Sequence, residues 1–105
     1  MEKRVKDSLY EQVARIGKAA SSPKRLELLE LLCQGEKTVD TLAREAAISM
    51  KLASAHLREL RAARLVDTER QGKNIIYRLA SGGFAEFLVI LRALAEERLV
   101  ELQMA

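Results

Sequence analysis

Residues 38–63 constrain the fold most strongly, because they hold two short amphipathic stretches separated by a very tight turn. In the second stretch Ala53, Leu57 and Leu60 share one side of a helix, since residues three and four apart lie on one face. Ser49 is suited to cap the start of this helix. Two helices joined so closely predict a helix-turn-helix, in which the second helix enters the major groove of DNA.

A second pattern follows at residues 65–79. Segments 65–70 and 75–79 are rich in β-branched and aromatic residues, and they flank a turn in which Gly72 and Asn74 tolerate positive φ. Helix, helix and β-hairpin in this order predict a winged helix. Basic residues near the hairpin tip would then lie on the DNA backbone beside the second helix.

The charges are unevenly distributed along the chain, whose net charge is +3. Residues 48–80 hold seven basic and three acidic residues, a net of +4, whereas residues 81–105 hold two basic and four acidic residues, a net of −2. The positive excess lies on the segment that is predicted to meet DNA. This placement favours nucleic-acid binding more than the modest total does.

The outward face of the second helix is short, mostly small or basic, and suited to close approach to DNA. We assign base contacts to Ser49, Lys51, Leu52, Ser54, Ala55 and Arg58, with the two cations directed at guanine or phosphate and Leu52 or Ala55 at a thymine methyl. Neutralisation of the DNA backbone is assigned to Arg61, Arg64, Arg70, Lys73 and Arg78. For any one of these charges, an ordinary solvated surface position is the alternative.

The two ends of the chain predict helices at residues 4–19 and 84–103, and residues 23–33 predict a leucine-rich central helix that is capped by Ser22. The end helices carry apolar positions at Val5, Leu9, Val13 and Ile16, and at Phe84, Leu88, Leu91, Leu94, Ala95 and Leu99. One domain of 105 residues cannot easily bury so much apolar surface. We therefore expect a mainly α, five-helix fold with a small β-hairpin that forms a two-fold homodimer through its first and last helices.

Residues 22–79 resemble the winged helix-turn-helix domain of the ArsR/SmtB transcriptional repressors. The matching pieces are Ser22-Pro23-Lys24-Arg25-Leu26, Leu42-Ala43, Ile48-Ser49, Ser54, His56-Leu57, Leu60-Arg61, Leu65-Val66, Gly72 and Tyr77-Arg78-Leu79. The resemblance implies a transcriptional repressor and supports the homodimer. In such a dimer two recognition helices related by the two-fold axis would enter successive major grooves of double-stranded DNA, so we expect an inverted-repeat site with half-site centres about 10 base pairs apart. The family usually has glycine at position 64, so Arg64 is expected either to adopt positive φ or to end its helix differently.

The resemblance also indicates where metal-sensing relatives bind their ion. They carry Cys-Val-Cys where this chain has Thr38-Val39-Asp40, so the soft thiolate ligands are missing. A second family site uses histidines and carboxylates of the last helix, but the only histidine here is His56. We therefore predict no metal site and no cofactor, and the sequence leaves the effector unknown.

Cys33 is the only cysteine, whereas the redox- and sulfide-responsive relatives pair one cysteine in the second helix with one in the last. We interpret Cys33 as a small apolar residue at the end of a buried helix. A single cysteine also agrees with a reducing compartment. The charged N-terminus and the short apolar runs predict neither a secretion signal nor a membrane span, and thus a cytoplasmic protein.

A complete repressor has three alternatives. An enzyme is disfavoured, because the sequence shows no phosphate-binding loop, catalytic triad or ligand cluster. A winged helix that binds protein through its apolar end helices stays open, and it would dimerise without salt-sensitive DNA binding. The third is the DNA-binding part of a longer sensor protein with a C-terminal sulfur-handling domain.

Overall fold

The computed structural model describes residues 2–104, which form five α-helices and a three-stranded antiparallel sheet. The helices are α1 (Lys3–Ala20), α2 (Pro23–Cys33), α3 (Val39–Glu45), α4 (Met50–Ala62) and α5 (Gly83–Met104). The strands are β1 (Lys37–Thr38), β2 (Val66–Gln71) and β3 (Asn74–Leu79). The predicted winged helix-turn-helix of five helices and a hairpin is confirmed.

The sequence did not predict strand β1, which is only two residues long. Lys37 pairs with Tyr77 and Thr38 with Ile76, so the sheet has the order β1-β3-β2. Thr38 also caps α3, because its side-chain oxygen accepts a hydrogen bond from the Thr41 N–H at 3.2 Å. Thr38 therefore belongs to the wing sheet and is also the N-terminal cap of α3. This double role fixes the wing relative to the helix-turn-helix.

The core lies where α2, α3, α4 and the base of the wing meet. The largest of the side chains that are almost inaccessible to solvent are Leu28, Leu29, Leu42, Leu57, Leu60 and Val66. The predicted inner face of α4 is confirmed, since Ala53, Leu57 and Leu60 are all buried. Because α4 buries one full side, its opposite side is left for contact with another molecule.

Helix α3 ends in a Schellman motif, which turns the chain towards α4. The Ile48 N–H donates to the Ala43 carbonyl at 3.0 Å, and the Ala47 N–H donates to the Arg44 carbonyl at 3.2 Å. Ala47 lies in the left-handed region, with φ of 56°. Glycine usually occupies such a position, because a Cβ is sterically unfavourable there.

Replacing Ala47 by glycine is expected to raise the free energy of unfolding by about 0.5 to 1 kcal/mol. The left-handed conformation costs an alanine about 1 to 2 kcal/mol, and the greater freedom of glycine in the unfolded chain offsets part of the gain. Urea denaturation of both proteins measures the difference. Ala14→Gly in the exposed middle of α1 is the control, and it should instead cost about 1 kcal/mol. Equal losses in both variants would show that the turn is not strained.

Helix α4 ends in the same way. The Leu65 N–H donates to the Leu60 carbonyl and the Arg64 N–H to the Arg61 carbonyl, each at 2.9 Å. Arg64 has φ of 62°, which confirms the first of the two conformations expected where the family usually has glycine. Leu60 and Leu65 are both buried in the core, so their contact adds the apolar component of the motif.

The wing turn is formed by Gly72 and Lys73, between the paired residues Gln71 and Asn74. Gly72 has φ of 62°, whereas Lys73 and Asn74 do not have positive φ. Positive φ at the first central position alone is the pattern of a type II′ turn, which suits the twist of a hairpin. The expectation for Gly72 is therefore confirmed, and the permissive conformation is not used at Asn74.

The terminal helices are largely exposed in the single chain. No described residue of α5 is fully buried, and the α1 positions Val5, Leu9, Val13 and Ile16 all remain accessible. Phe84 and Leu88 were expected in the dimer interface. In the structure they are instead partly buried against the chain's own core, so they are not fully available to a second copy. Leu91 is likewise half-buried. Within residues 2–104, no helix is both long and apolar enough to cross a membrane.

Candidate nucleic-acid interface

The first turn of α4 is built to face an anion. The Ser49 hydroxyl accepts a hydrogen bond from the Leu52 N–H at 3.0 Å, as the sequence predicted for the cap. Helix geometry leaves the N–H groups of Met50 and Lys51 without an acceptor inside the helix. They can donate to a phosphate, which the positive end of the helix dipole also favours.

The structure brings the assigned base-contacting residues together on the outer side of α4. Ser49, Lys51, Leu52, Ala55 and Arg58 are exposed, and Ser54 is half-buried at the flank. Their side chains are small or basic, apart from Leu52. This side therefore offers hydrogen-bond donors, a positive charge and little steric bulk to a DNA groove.

Sequence reasoning missed Met50, whose side chain is 50% exposed. Three and seven residues separate it from Ala53 and Leu57, so helical periodicity places it on the core side. In the structure it begins α4, where the core does not cover it. The signal that could have identified it is its position next to the Ser49 cap, since the first turn of a helix can extend beyond the core that covers later turns.

The residues assigned to the DNA backbone extend from the end of α4 to the wing. Arg61, Arg64, Arg70 and Lys73 are all exposed, and Arg70 Nε donates to the Gly72 carbonyl at 3.4 Å. This bond holds the Arg70 side chain against the wing turn. Four exposed cations thus lie at the end of α4, in the turn that follows it and on the hairpin.

Arg78 differs from the other cations, because it lies half-buried between two carboxylates. Its Nε is 3.0 Å from Glu36 Oε1, and its Nη2 donates to Glu69. The hydrogen bond from Arg78, followed by one from Gln71, lowers the pKa of Glu69. The Arg78 guanidinium therefore ties β3 to β2 and to the segment before β1, and these carboxylates compete with any phosphate for it.

Two basic residues of α2 hold the helix-turn-helix in place, although the sequence identified them only within the matching motif. Lys24 Nζ donates to the Ala46 carbonyl at 2.7 Å and to Glu27 at 2.9 Å. Ala46 is the C-terminal cap of α3, where helix carbonyls lack partners and the dipole favours a cation. Lys24 thus fastens the end of α3 to α2.

Arg25 connects α1, α2 and α4. Its Nε donates to the Ala19 carbonyl at 2.5 Å, near the end of α1, and its Nη1 lies 3.5 Å from His56 Nδ1. A guanidinium can only donate, so this contact is compatible with a His56 ring whose Nδ1 accepts. His56 lies half-buried at the border of the core, as the sequence indicated.

The sequence predicts Cys33 as a small apolar residue at the end of a buried helix, but its side chain is exposed, so the end of α2 is not part of the core. The helix α2 is apolar on more than one side, but its last residue lies beyond the core in a groove lined by Leu88, Val89 and Arg92 of α5. Partial desolvation, and then the charge of Glu30, raises the pKa of the thiol. Among residues 2–104, no three histidine, cysteine or acidic side chains cluster as metal ligands would.

We expect Cys33 to react with iodoacetamide more slowly in the folded protein than in urea at pH 7.5. The thiolate is the reactive form, and a raised pKa lowers its population at a given pH. Glu30→Gln should speed the folded-state reaction by removing the nearby negative charge, whereas Glu27→Gln should leave it unchanged. Mass spectrometry over time measures both rates. Faster alkylation of the folded protein would contradict the expectation.

Comparison with known proteins agrees with this geometry. The profile described as "Bacterial regulatory protein, arsR family" matches residues 22–68. The HTH-type transcriptional regulator Rv0324 of Mycobacterium tuberculosis is 36% identical over 100 residues, which cover 95% of this chain and 44% of that protein. The chain thus spans less than half the length of that relative. The biofilm growth-associated repressor of Agrobacterium fabrum is 39% identical over 79% of this chain and 71% of its own length.

A solved structure shows the same fold. It is the homodimeric winged helix-turn-helix DNA-binding domain of Mb0332 from Mycobacterium bovis, a fragment of residues 1–100. Its TM-score to this chain is 0.82 at 36% sequence identity, and the match covers 92% of this chain and 89% of that one. The similarity therefore extends beyond the helix-turn-helix to most of the chain.

Proposed function

The chain belongs to the arsR family of bacterial regulatory proteins, and we propose that it is a repressor that binds an inverted-repeat DNA site as a homodimer and is released by a non-metal signal. The observation that carries the proposal is the outer side of α4, which is exposed, small or basic, and begins with a capped turn. The fold is that of a DNA-binding transcriptional regulator. No enzymatic turnover is expected, and DNA as the partner implies a cytoplasmic location.

The homodimer is supported by the apolar surface of the terminal helices. Val5, Leu9 and Val13 lie along one exposed stripe of α1, and α5 exposes Leu94, Ala95 and Leu99. Surfaces of this kind promote association. The Mb0332 domain of similar fold is homodimeric. A two-fold axis through these helices would relate two copies of α4, as reading of an inverted repeat requires.

The proposal also assigns base contacts and phosphate contacts to different residues. Ser49, Lys51, Leu52, Ser54, Ala55 and Arg58 would contact bases, and Arg61, Arg64, Arg70 and Lys73 would contact phosphates. Arg78 would contact a phosphate only after its ion pairs with Glu36 and Glu69 break. Each phosphate contact releases counterions, so the affinity should fall steeply with salt.

Regulation by a non-metal signal is supported by the residues that replace the thiolate ligands of metal-sensing relatives. The Thr38 hydroxyl caps α3 and also donates to the Thr41 hydroxyl at 3.1 Å. The Asp40 carboxylate lies 3.6 Å from Arg44 Nη1, one turn further along α3. Both positions thus serve the structure of α3, and neither supplies a soft ligand.

Selection of bound sequences from a random DNA pool, followed by binding of the enriched site across a salt series, tests the proposal. We expect an enriched inverted repeat and an affinity that decreases linearly on a log-log plot against salt. Sequence-independent binding with no enriched repeat would contradict it. A dimer that binds no DNA would instead support the alternative of a protein-interaction module.

A further inference from the structure

The first turn of α4 carries two apolar side chains that the chain covers only by about half. Met50 is 50% exposed and Leu52 is 44% exposed, and they lie on either side of Lys51 in the sequence. All other large apolar residues of α4 are buried in the core. An apolar group on the DNA would complete the burial of both side chains when α4 enters the groove.

The arrangement of these residues suits a groove that surrounds the end of the helix. A separation of two residues corresponds to a rotation of about 200° around the helix axis. Met50 and Leu52 therefore lie on nearly opposite sides of the first turn. Lys51 lies between them, on the side away from Ala53 and Leu57. When this end enters the major groove, the two side chains face its two sides while Lys51 faces its floor.

We propose that Met50 and Leu52 make the recognition helix α4 selective for half-sites that present thymine, through contact with its C5 methyl group. This inference rests on the function proposed above. Thymine is the only base that presents an apolar group in the major groove. Against the polar edge of a G·C pair, the same side chains would cover hydrogen-bonding groups that lose water without gaining a partner.

Replacing thymine by deoxyuridine in the selected operator tests the contact directly, because only the methyl group is removed. Each thymine of one half-site is replaced in turn, and binding is measured by fluorescence anisotropy at fixed salt. A buried methyl group corresponds to about a fourfold change in affinity. We expect about fourfold weaker binding at a contacted position, and about fifteenfold when both half-sites are changed.

The variants Met50→Ala and Leu52→Ala identify the side chains responsible. Each variant should bind the operator with thymine and the operator with deoxyuridine equally well when the exchanged base is the one that its missing side chain contacted. The matched control is Ile75→Ala, since Ile75 is 44% exposed but lies on the wing strand β3. It should keep the full preference for thymine.

Three results would overturn the inference while leaving the proposed function intact. They are an operator that binds specifically but has no thymine under α4, equal affinity for the deoxyuridine operator, and a thymine preference that both alanine variants retain. The absence of any specific operator would instead remove the proposed function, and the thymine contact with it. The random-pool selection thus separates the two failures before the variants are made.

Discussion

Leu9→Glu is expected to convert the protein to a monomer and to weaken its binding to the inverted repeat by about 100- to 10,000-fold. Leu9 lies on the exposed apolar stripe of α1, so the change does not disturb the subunit core. In the proposed dimer the new carboxylate would be buried in an apolar interface without a partner. The two half-sites would then be bound independently, and the gain from linking two binding events would be lost.

Sedimentation velocity and fluorescence anisotropy measure the two effects. The affinity for an isolated half-site should stay unchanged, which separates lost dimerisation from unfolding. Ala14→Glu is the matched control, because it places the same charge about 140° away on the exposed surface of α1. A Leu9→Glu protein that stays dimeric and binds normally would show that α1 is not in the interface.

Lys51→Glu is expected to lower the affinity for the operator by about 100-fold or more. Lys51 is exposed in the first turn of α4, where the proposal places it against a guanine or a phosphate. The substitution removes this contact in both half-sites, each worth about 1 to 3 kcal/mol, and adds two charges that DNA repels. If Lys51 contacts phosphate, the slope of log affinity against log salt should fall by about 2, one contact per subunit.

Arg4→Glu changes the net charge by the same amount near the start of α1, where the arginine lies 3.6 Å from the Glu2 carboxylate. Its operator affinity should fall far less than that of Lys51→Glu. Anisotropy titrations at four salt concentrations give both the affinity and the slope. Equal losses in the two variants would indicate that only the total charge of the protein matters.

The helix-turn-helix and wing could be predicted from the sequence because their signals are local. Ala53, Leu57 and Leu60 follow the helical period, and Ser49 has the side-chain chemistry of a cap. Gly72 supplied the hairpin turn. Each of these features depends on residues within a few positions of one another, so tertiary contacts reinforce the local preference instead of overriding it.

The features that the sequence did not predict depend on contacts between distant segments. Strand β1 is too short to show alternation and exists because β3 supplies its partner. Lys24 reaches a carbonyl 22 residues away, which no spacing rule would indicate. Arg78 looks like a free cation in the sequence, and only the fold brings Glu36 beside it.

The exposure of Cys33 could not be predicted for a related reason. Helix α2 carries leucines on more than one side, so the pattern alone does not show which side ends at the surface. The positions of α3, α4 and α5 decide it. The C-terminal sulfur-handling domain of the longer-protein alternative stays a prediction.

The most direct test of the central claim is to lengthen the spacer between the two operator half-sites by 5 base pairs. A rigid dimer holds its two α4 helices at one separation, about one turn of DNA apart. The 5-base-pair insertion turns the half-sites to opposite sides of the duplex, so the affinity should fall to that of a single half-site. An affinity unchanged by that insertion, or one chain bound per inverted repeat, would contradict two linked recognition helices.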